Sequence, residues 1–229
     1  MVQQLIREKI YDHKNSDSLA NSLRQKRNSL FKSLLTSTPG SLRILDVGGT
    51  EEYWLEIGFL DDPFLSSFID EIVLLNVKPT EVNSPKMTSI VGDAASMNFA
   101  DQEFDVIFSN SVIEHLVTLE NQQRMAQEII RIGKRYFVQT PNRYFPVEPH
   151  FVFPFFQFLP VESKVWLMTH FSLGWYNKID DPAFALELAQ EIRLLTKAEM
   201  HSLFENAKIY EEKFFGLTKS FVAYSGWDS

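Results

Sequence analysis

The chain of 229 residues contains no cysteine. That absence excludes a disulfide framework, a thiolate zinc site and a cysteine nucleophile together, and it suits a reducing, cytoplasmic setting. Long hydrophobic runs are also missing. The most apolar stretch, Phe151–Pro160, is ten residues long and is interrupted by Pro154. A membrane-crossing helix needs about 20 apolar residues, and proline breaks such a helix, so no transmembrane segment is expected. Met1–Lys14 carries Arg7, Glu8, Lys9 and Asp12 and lacks the apolar centre of a signal peptide. An excess of basic residues is absent too: the net charge is −8, which argues against a surface built to grip nucleic-acid phosphate. Glycine is scarce at nine, and no G-x-G-x-x-G follows any apolar run.

What the chain has in excess is phenylalanine, 20 residues. The aromatics are concentrated: Tyr144–Tyr176 holds 11 of the 31. Charge is uneven as well. Residues 1–38 carry a net +4 and the remainder −12. The length fits one large domain with an attachment. The division expected is an N-terminal helical arm over 1–38 and a main domain over 39–229, with an aromatic insertion at 143–195.

Residues 18–35 read as a helix, with Leu19, Leu23, Leu30, Phe31 and Leu34 on one stripe and Ser18 as its cap. Thr38-Pro39-Gly40 ends it. Five short apolar runs follow: Leu42–Val47, Glu71–Val77, Thr88–Val91, Phe104–Phe108 and Arg135–Gln139. Between the last two, Leu119–Ile132 has helical periodicity. Buried strands separated by helices or loops predict a parallel sheet covered on both faces. Near the end, Thr196 and Glu199 predict a capping box for a helix over Thr196–Asn206. Lys208–Phe214 and Lys219–Tyr224 then predict an antiparallel hairpin.

Open parallel sheets bind ligands beyond the carboxyl ends of their strands, so the residues after each run carry the function. After the first come Asp46, Gly48, Gly49 and Thr50. Glycine there admits a ligand close to the backbone, and Asp46 can order the loop. Glu51 and Glu52 follow and would repel a dinucleotide pyrophosphate. Asn76 ends the second run, Gly92-Asp93-Ala94 the third, and Ser109-Asn110 the fourth.

These strings resemble the class I S-adenosylmethionine-dependent methyltransferases, in particular the group that includes the ubiquinone and menaquinone biosynthesis methylases. Leu45-Asp46-Val47-Gly48-Gly49, Val91-Gly92-Asp93-Ala94, Glu103–Ile107 with Asn110, Ile113-Glu114-His115-Leu116 and Phe137–Asn142 match in order. The resemblance implies an α/β, Rossmann-like fold with a seven-stranded sheet, mostly parallel and closed by an antiparallel C-terminal hairpin. It also implies roles. Asp46, Gly48, Gly49 and Thr50 would hold the methionine part of S-adenosyl-L-methionine, Asn76 the ribose, Asp93 and Ala94 the adenine, and Asn110 the region beside the sulfonium. Thr50 and Glu52 stand where the family keeps further glycines, and Asn76 where it keeps an acid.

Methyl transfer from a sulfonium needs positioning and exclusion of water, plus a base when the acceptor is a hydroxyl. His115 and His150 are the candidates, with Glu148 placed to orient His150. No histidine pair has helical metal-ligand spacing, so no metal is expected. The aromatic insertion is either extra core laid on the sheet or a wall for an apolar or lipid-linked acceptor, with peripheral membrane contact and self-association as further options. Arg24, Lys26 and Arg27 are either a solvated helix face or a means of reaching an anion. O-methylation of a small or lipid-linked metabolite is the expected activity. The alternative is a catalytically degenerate binding or scaffold protein on the same fold.

Overall fold

A computed structural model describes residues 19–227; the expected cap Ser18 and the basic residues before it lie outside the described residues. Helix α1 (Leu19–Thr36) precedes strand β1 (Leu42–Val47). Two six-residue helices follow, α2 (Glu51–Glu56) and α3 (Pro63–Phe68), then β2 (Ile69–Asn76), β3 (Met87–Val91) and β4 (Val106–Asn110). Helix α4 (Leu119–Ile132) leads to β5 (Tyr136–Pro141). The insertion contributes a two-residue ladder, β6 (Val147–Glu148) with β7 (Phe153–Pro154), and helices α5 (Val161–His170) and α6 (Pro182–Gln190). Helix α7 (Lys197–Leu203) and the hairpin β8 (Lys208–Phe214) and β9 (Leu217–Ser225) close the chain.

The sheet has seven strands in the order β3-β2-β1-β4-β5-β9-β8. The first five are parallel; β9 runs antiparallel to β5, and β8 to β9. The chain reverses direction across the sheet between β1 and β4, where Asp46 pairs with Phe108 and Val47 with Ser109. That reversal opens the crevice in which sheets of this kind take ligands.

Alternation along each strand builds two cores. Leu45, Val47, Ile107 and Val138 face Met125, Ile129, Met200 and Phe204 on α4, α7 and the residue after it. Ile44, Val106, Phe108 and Phe137 face Phe31 and Leu35 of α1, with Trp54 and Phe59. The Phe31 ring centroid lies 4.7 Å from that of Phe108 and 4.9 Å from that of Phe137. Helix α1 is thus a covering layer of the sheet. Its basic residues divide accordingly: Lys26 is exposed, Arg24 half-buried, and Arg27 buried.

The insertion was expected to lay its rings on the sheet or line an acceptor. Phe151, Phe156, Met168, Leu173 and Leu188 form a third core of their own rather than packing on the sheet, while Phe145 and Trp175 line a cavity beside the end of β4. The reason is topological: α5 and α6 pack on each other, so the rings bury between them. Tyr144, Phe155, Phe158, Trp166, Phe171 and Trp175 stay exposed. The C-terminal expectations hold closely: Thr196 and Glu199 form both halves of the capping box. Helices α2 and α3 are additions. Their sequences are too short for periodicity and rest on caps, Thr50 for one and Asp62 followed by Pro63 for the other.

Candidate functional site

The loop after β1 is shaped by what lies under it. Gly48 has φ +79°, and a β-carbon there would stand 2.4 Å from Val112 Cγ2. A β-carbon on Gly49 would stand 1.7 Å from Asp46 Oδ2. Asp46 is buried and accepts the Trp54 indole N–H at 2.7 Å, while its Oδ1 has no partner. Burial pushes this carboxyl up to about 7. Thr50 Oγ1 accepts Tyr53 N–H at 3.4 Å as the cap of α2, leaving its hydroxyl proton to donate. Glu51 does not face a ligand. Its carboxylate accepts the backbone N–H groups of Asn83 at 2.9 Å and Ser84 at 2.7 Å, which holds it below the usual carboxylate range. The expected repulsion from Glu51 therefore falls away.

Asn76 Nδ2 donates to Gly49 O at 2.9 Å and to Thr80 Oγ1 at 3.2 Å. It ties the end of β2 to the glycine loop, and its own carbonyl oxygen takes no part in these two bonds. Next door, Gly92 N–H donates to Asn76 O at 2.9 Å, which brings Asp93 and Ala94 to the same crevice mouth. Asp93 is exposed; its Oδ1 accepts Ala95 N–H at 2.8 Å. Asn110, at the end of β4, has a buried Oδ1 with no partner. Backbone cleared of β-carbons, an amide carbonyl and an unsatisfied buried acceptor fit a nucleoside with a positively charged sulfur.

Beyond β4 the chain is strained. Ser111 (φ +57°), Val117 (φ +49°) and Val152 (φ +47°) occupy the left-handed region, a rare conformation for a β-branched valine. Between these points Glu114, His115 and His150 converge, with one ligand-capable atom from each lying within 4.8 Å of the others. The two imidazole centroids are 5.1 Å apart with perpendicular rings. His150 Nδ1 stands 2.6 Å from Glu148 Oε1, and Glu148 Oε2 accepts the N–H groups of His150 and Phe151. Glu148 therefore orients His150, as its spacing predicts.

Glu114 is the residue that sequence reasoning left out. It is buried, accepts Thr140 Oγ1–H at 2.9 Å through Oε2, and has no partner on Oε1. Burial raises it to about 7. Burial also lowers His115, helped by the neighbouring His150. For His150 burial acts downward, but the Glu148 hydrogen bond and charge prevail and raise it. Gln122 and Arg193 hold the turn in place: Gln122 Nε2 donates to Ile113 O at 2.9 Å, and Arg193 N–H donates to Glu114 O at 2.8 Å. The signal for Glu114 lay in Ile-Glu-His-Leu, an acid inside an otherwise apolar turn. The absence of helical His spacing did not exclude a cation site, because its ligands come from β4's turn and from the insertion.

A cavity of about 360 Å3 adjoins Asn110 and Ser111. α1, β5, the β8–β9 hairpin and the insertion all contribute to its walls, with Arg24, Arg27, Pro141, Phe145, Trp175 and Lys219 among them.

Residues 66–136 match the family described as methyltransferase domain. That match spans under half of this chain. Over 83 residues it is 37% identical to an uncharacterized protein of Mycobacterium tuberculosis, Rv1509, a match covering 36% of this chain and 27% of that relative. The methyltransferase domain of bacterial CtHen1 superposes with a TM-score of 0.53 at 13% identity, covering 88% of this chain and 98% of that one. A SAM-dependent methyltransferase from Aquifex aeolicus gives 0.50 at 12% identity, covering 92% and 94%. The methyltransferase fold includes all seven strands described above. S-adenosylmethionine is the cofactor of such domains, and the crevice residues fit it. Among the described residues no helix is long and apolar enough to cross a membrane.

Proposed function

We propose that this chain transfers a methyl group from S-adenosylmethionine to a hydroxyl oxygen of a small acceptor. The convergence of Glu114, His115 and His150 at the mouth of the crevice carries this reading. The cofactor supplies an electrophilic methyl on a sulfonium, so the protein's work is alignment and proton removal. Gly48, Gly49 and Thr50 hold its methionine part, Asn76 its ribose, Asp93 and Ala94 its adenine, and Asn110 the region by the sulfur. His115 would take the acceptor's hydroxyl proton on a ring nitrogen. His150, fixed by Glu148, orients the acceptor. The insertion shields the crevice from water, and its exposed rings support an apolar or lipid-linked acceptor.

A second reading uses the same three residues as ligands of a divalent cation that would hold the acceptor oxygen. The buried, unpartnered Glu114 Oε1 favours it, and one carboxylate with two imidazoles suits such an ion. Calorimetry with S-adenosylmethionine and its demethylated product tests the common core of both readings. Micromolar binding of either supports them; no binding at millimolar concentration leaves a scaffold protein on this fold.

A further inference from the structure

The charge of the 360 Å3 cavity is unused by any step above. Its walls carry Arg24, Arg27 and Lys219 against a single carboxylate, Glu212. That carboxylate is already engaged. Both its oxygens accept from Arg27 Nη1, at 3.3 and 3.0 Å, and Ser220 Oγ–H donates to it as well. Arg24 reaches away from the cavity to Glu56 at 2.9 Å, an acid whose side chain is 42% exposed; water weakens such a pair. Lys219 is half-buried on the same wall. Burial lowers both Arg24 and Lys219, and each is lowered further by the neighbouring arginines. Three cationic side chains and one carboxylate therefore line the cavity.

Phe145, Trp175, Pro141 and Pro149 add apolar surface to the wall, beside the polar Asn110, Ser111, Gln139 and Ser220. Volumes of about 300 Å3 and above are those of small-molecule sites. Asn110 and Ser111 join this cavity to the end of β4, where methyl transfer is placed. The glycine loop Gly48–Thr50 is not among its walls, which separates it from the expected seat of the cofactor's own carboxylate.

We propose that this cavity binds a methyl acceptor with an apolar ring and an anionic group, a carboxylate or a phosphate, gripped by Arg24 and Lys219. The Arg27–Glu212 pair fixes the wall behind them. This inference rests on the methyltransferase reading above, and the experiment separates the two.

Calorimetry on the full chain compares 4-hydroxybenzoate and phenyl phosphate with neutral 4-hydroxybenzamide, and measures S-adenosylhomocysteine in parallel. One or both acids should bind at least tenfold more tightly than the amide, and the better of the two identifies the anion. Arg24→Gln and Lys219→Gln should each remove most of that preference and leave S-adenosylhomocysteine affinity within twofold. Glu56→Gln, which frees Arg24, should preserve or strengthen acid binding and shows that breaking the surface pair alone is harmless. Equal binding of acid and amide, or no binding of either acid, overturns the proposal. So does an Arg24→Gln variant that loses S-adenosylhomocysteine while keeping the acids, since the charge would then serve the cofactor. Acid binding that depends on Arg24, with no S-adenosylhomocysteine binding in any variant, keeps the anion site and removes the methyltransferase reading.

Discussion

The indole N–H of Trp54 donates to Asp46 Oδ2 at 2.7 Å, and the same oxygen lies where a β-carbon on Gly49 would fall. One buried carboxyl thus anchors helix α2 and sets the height of the glycine loop above it. Its protonation is coupled to stability. The folded state holds this carboxyl at about 7 against an ordinary 3.8, so the native protein keeps a proton that the unfolded chain releases. The resulting contribution is present below about pH 4 and lost as pH rises to about 7. Asp46→Asn keeps an acceptor for Trp54 and removes the titration. Denaturant midpoints at pH 5, 6, 7 and 8 should fall less steeply for the variant than for the parent. Glu114 also sits at about 7, so some slope should survive.

Gly49→Ala puts a methyl group 1.7 Å from a buried oxygen. Either the loop rises or Asp46 moves off Trp54. Overpacking of this kind typically costs about 1–3 kcal/mol, and the loop that shifts is the one expected to hold the cofactor. The variant should therefore lose thermal stability and weaken S-adenosylhomocysteine binding together. Wild-type affinity in a destabilised variant would show that the loop is not part of the binding site.

The strands and α4 were legible because their apolar runs and their 3.6-residue period are local properties. Leu119–Ile132 is both the predicted and the observed helix. The capping box at Thr196 and Glu199 is likewise written within four residues. Contacts between distant segments were not legible. Nothing near Arg27 names Glu212 as its partner, 185 positions away. Nothing near His115 tells that the insertion folds on its own core and returns His150 beside it. Glu51 shows the same limit in a different way: its charge was plain, but its direction depended on the Asn83–Ser84 backbone.

His115→Ala and His150→Ala should each lower turnover about 100-fold or more, as loss of a general base or of acceptor orientation does. Affinity for S-adenosylhomocysteine should stay within twofold, since neither side chain is placed on the cofactor. Prior treatment with EDTA divides the two chemical readings. Unchanged turnover supports proton transfer by His115 alone. Loss of turnover that manganese or zinc restores supports the cation held by Glu114, His115 and His150. Full turnover in both alanine variants would move the chemistry elsewhere in the crevice.

Arg27 and Glu212 join α1 to β8 with side chains 9% and 3% exposed. An ion pair this deep gains little over apolar residues of the same size, because desolvation offsets the attraction. Removing one partner is different, since a buried charge is left alone. Arg27→Met should destabilise the protein by about 3–5 kcal/mol. The double variant Arg27→Met, Glu212→Leu should recover most of that loss, although Ser220 then forfeits its bond to Glu212. Urea midpoints for the parent, both single variants and the double variant measure the coupling directly. If the double variant is as unstable as Arg27→Met, the cost lies in how α1 packs on Phe108 and Phe137. If it recovers, the pair adds little net stability over apolar residues of the same size.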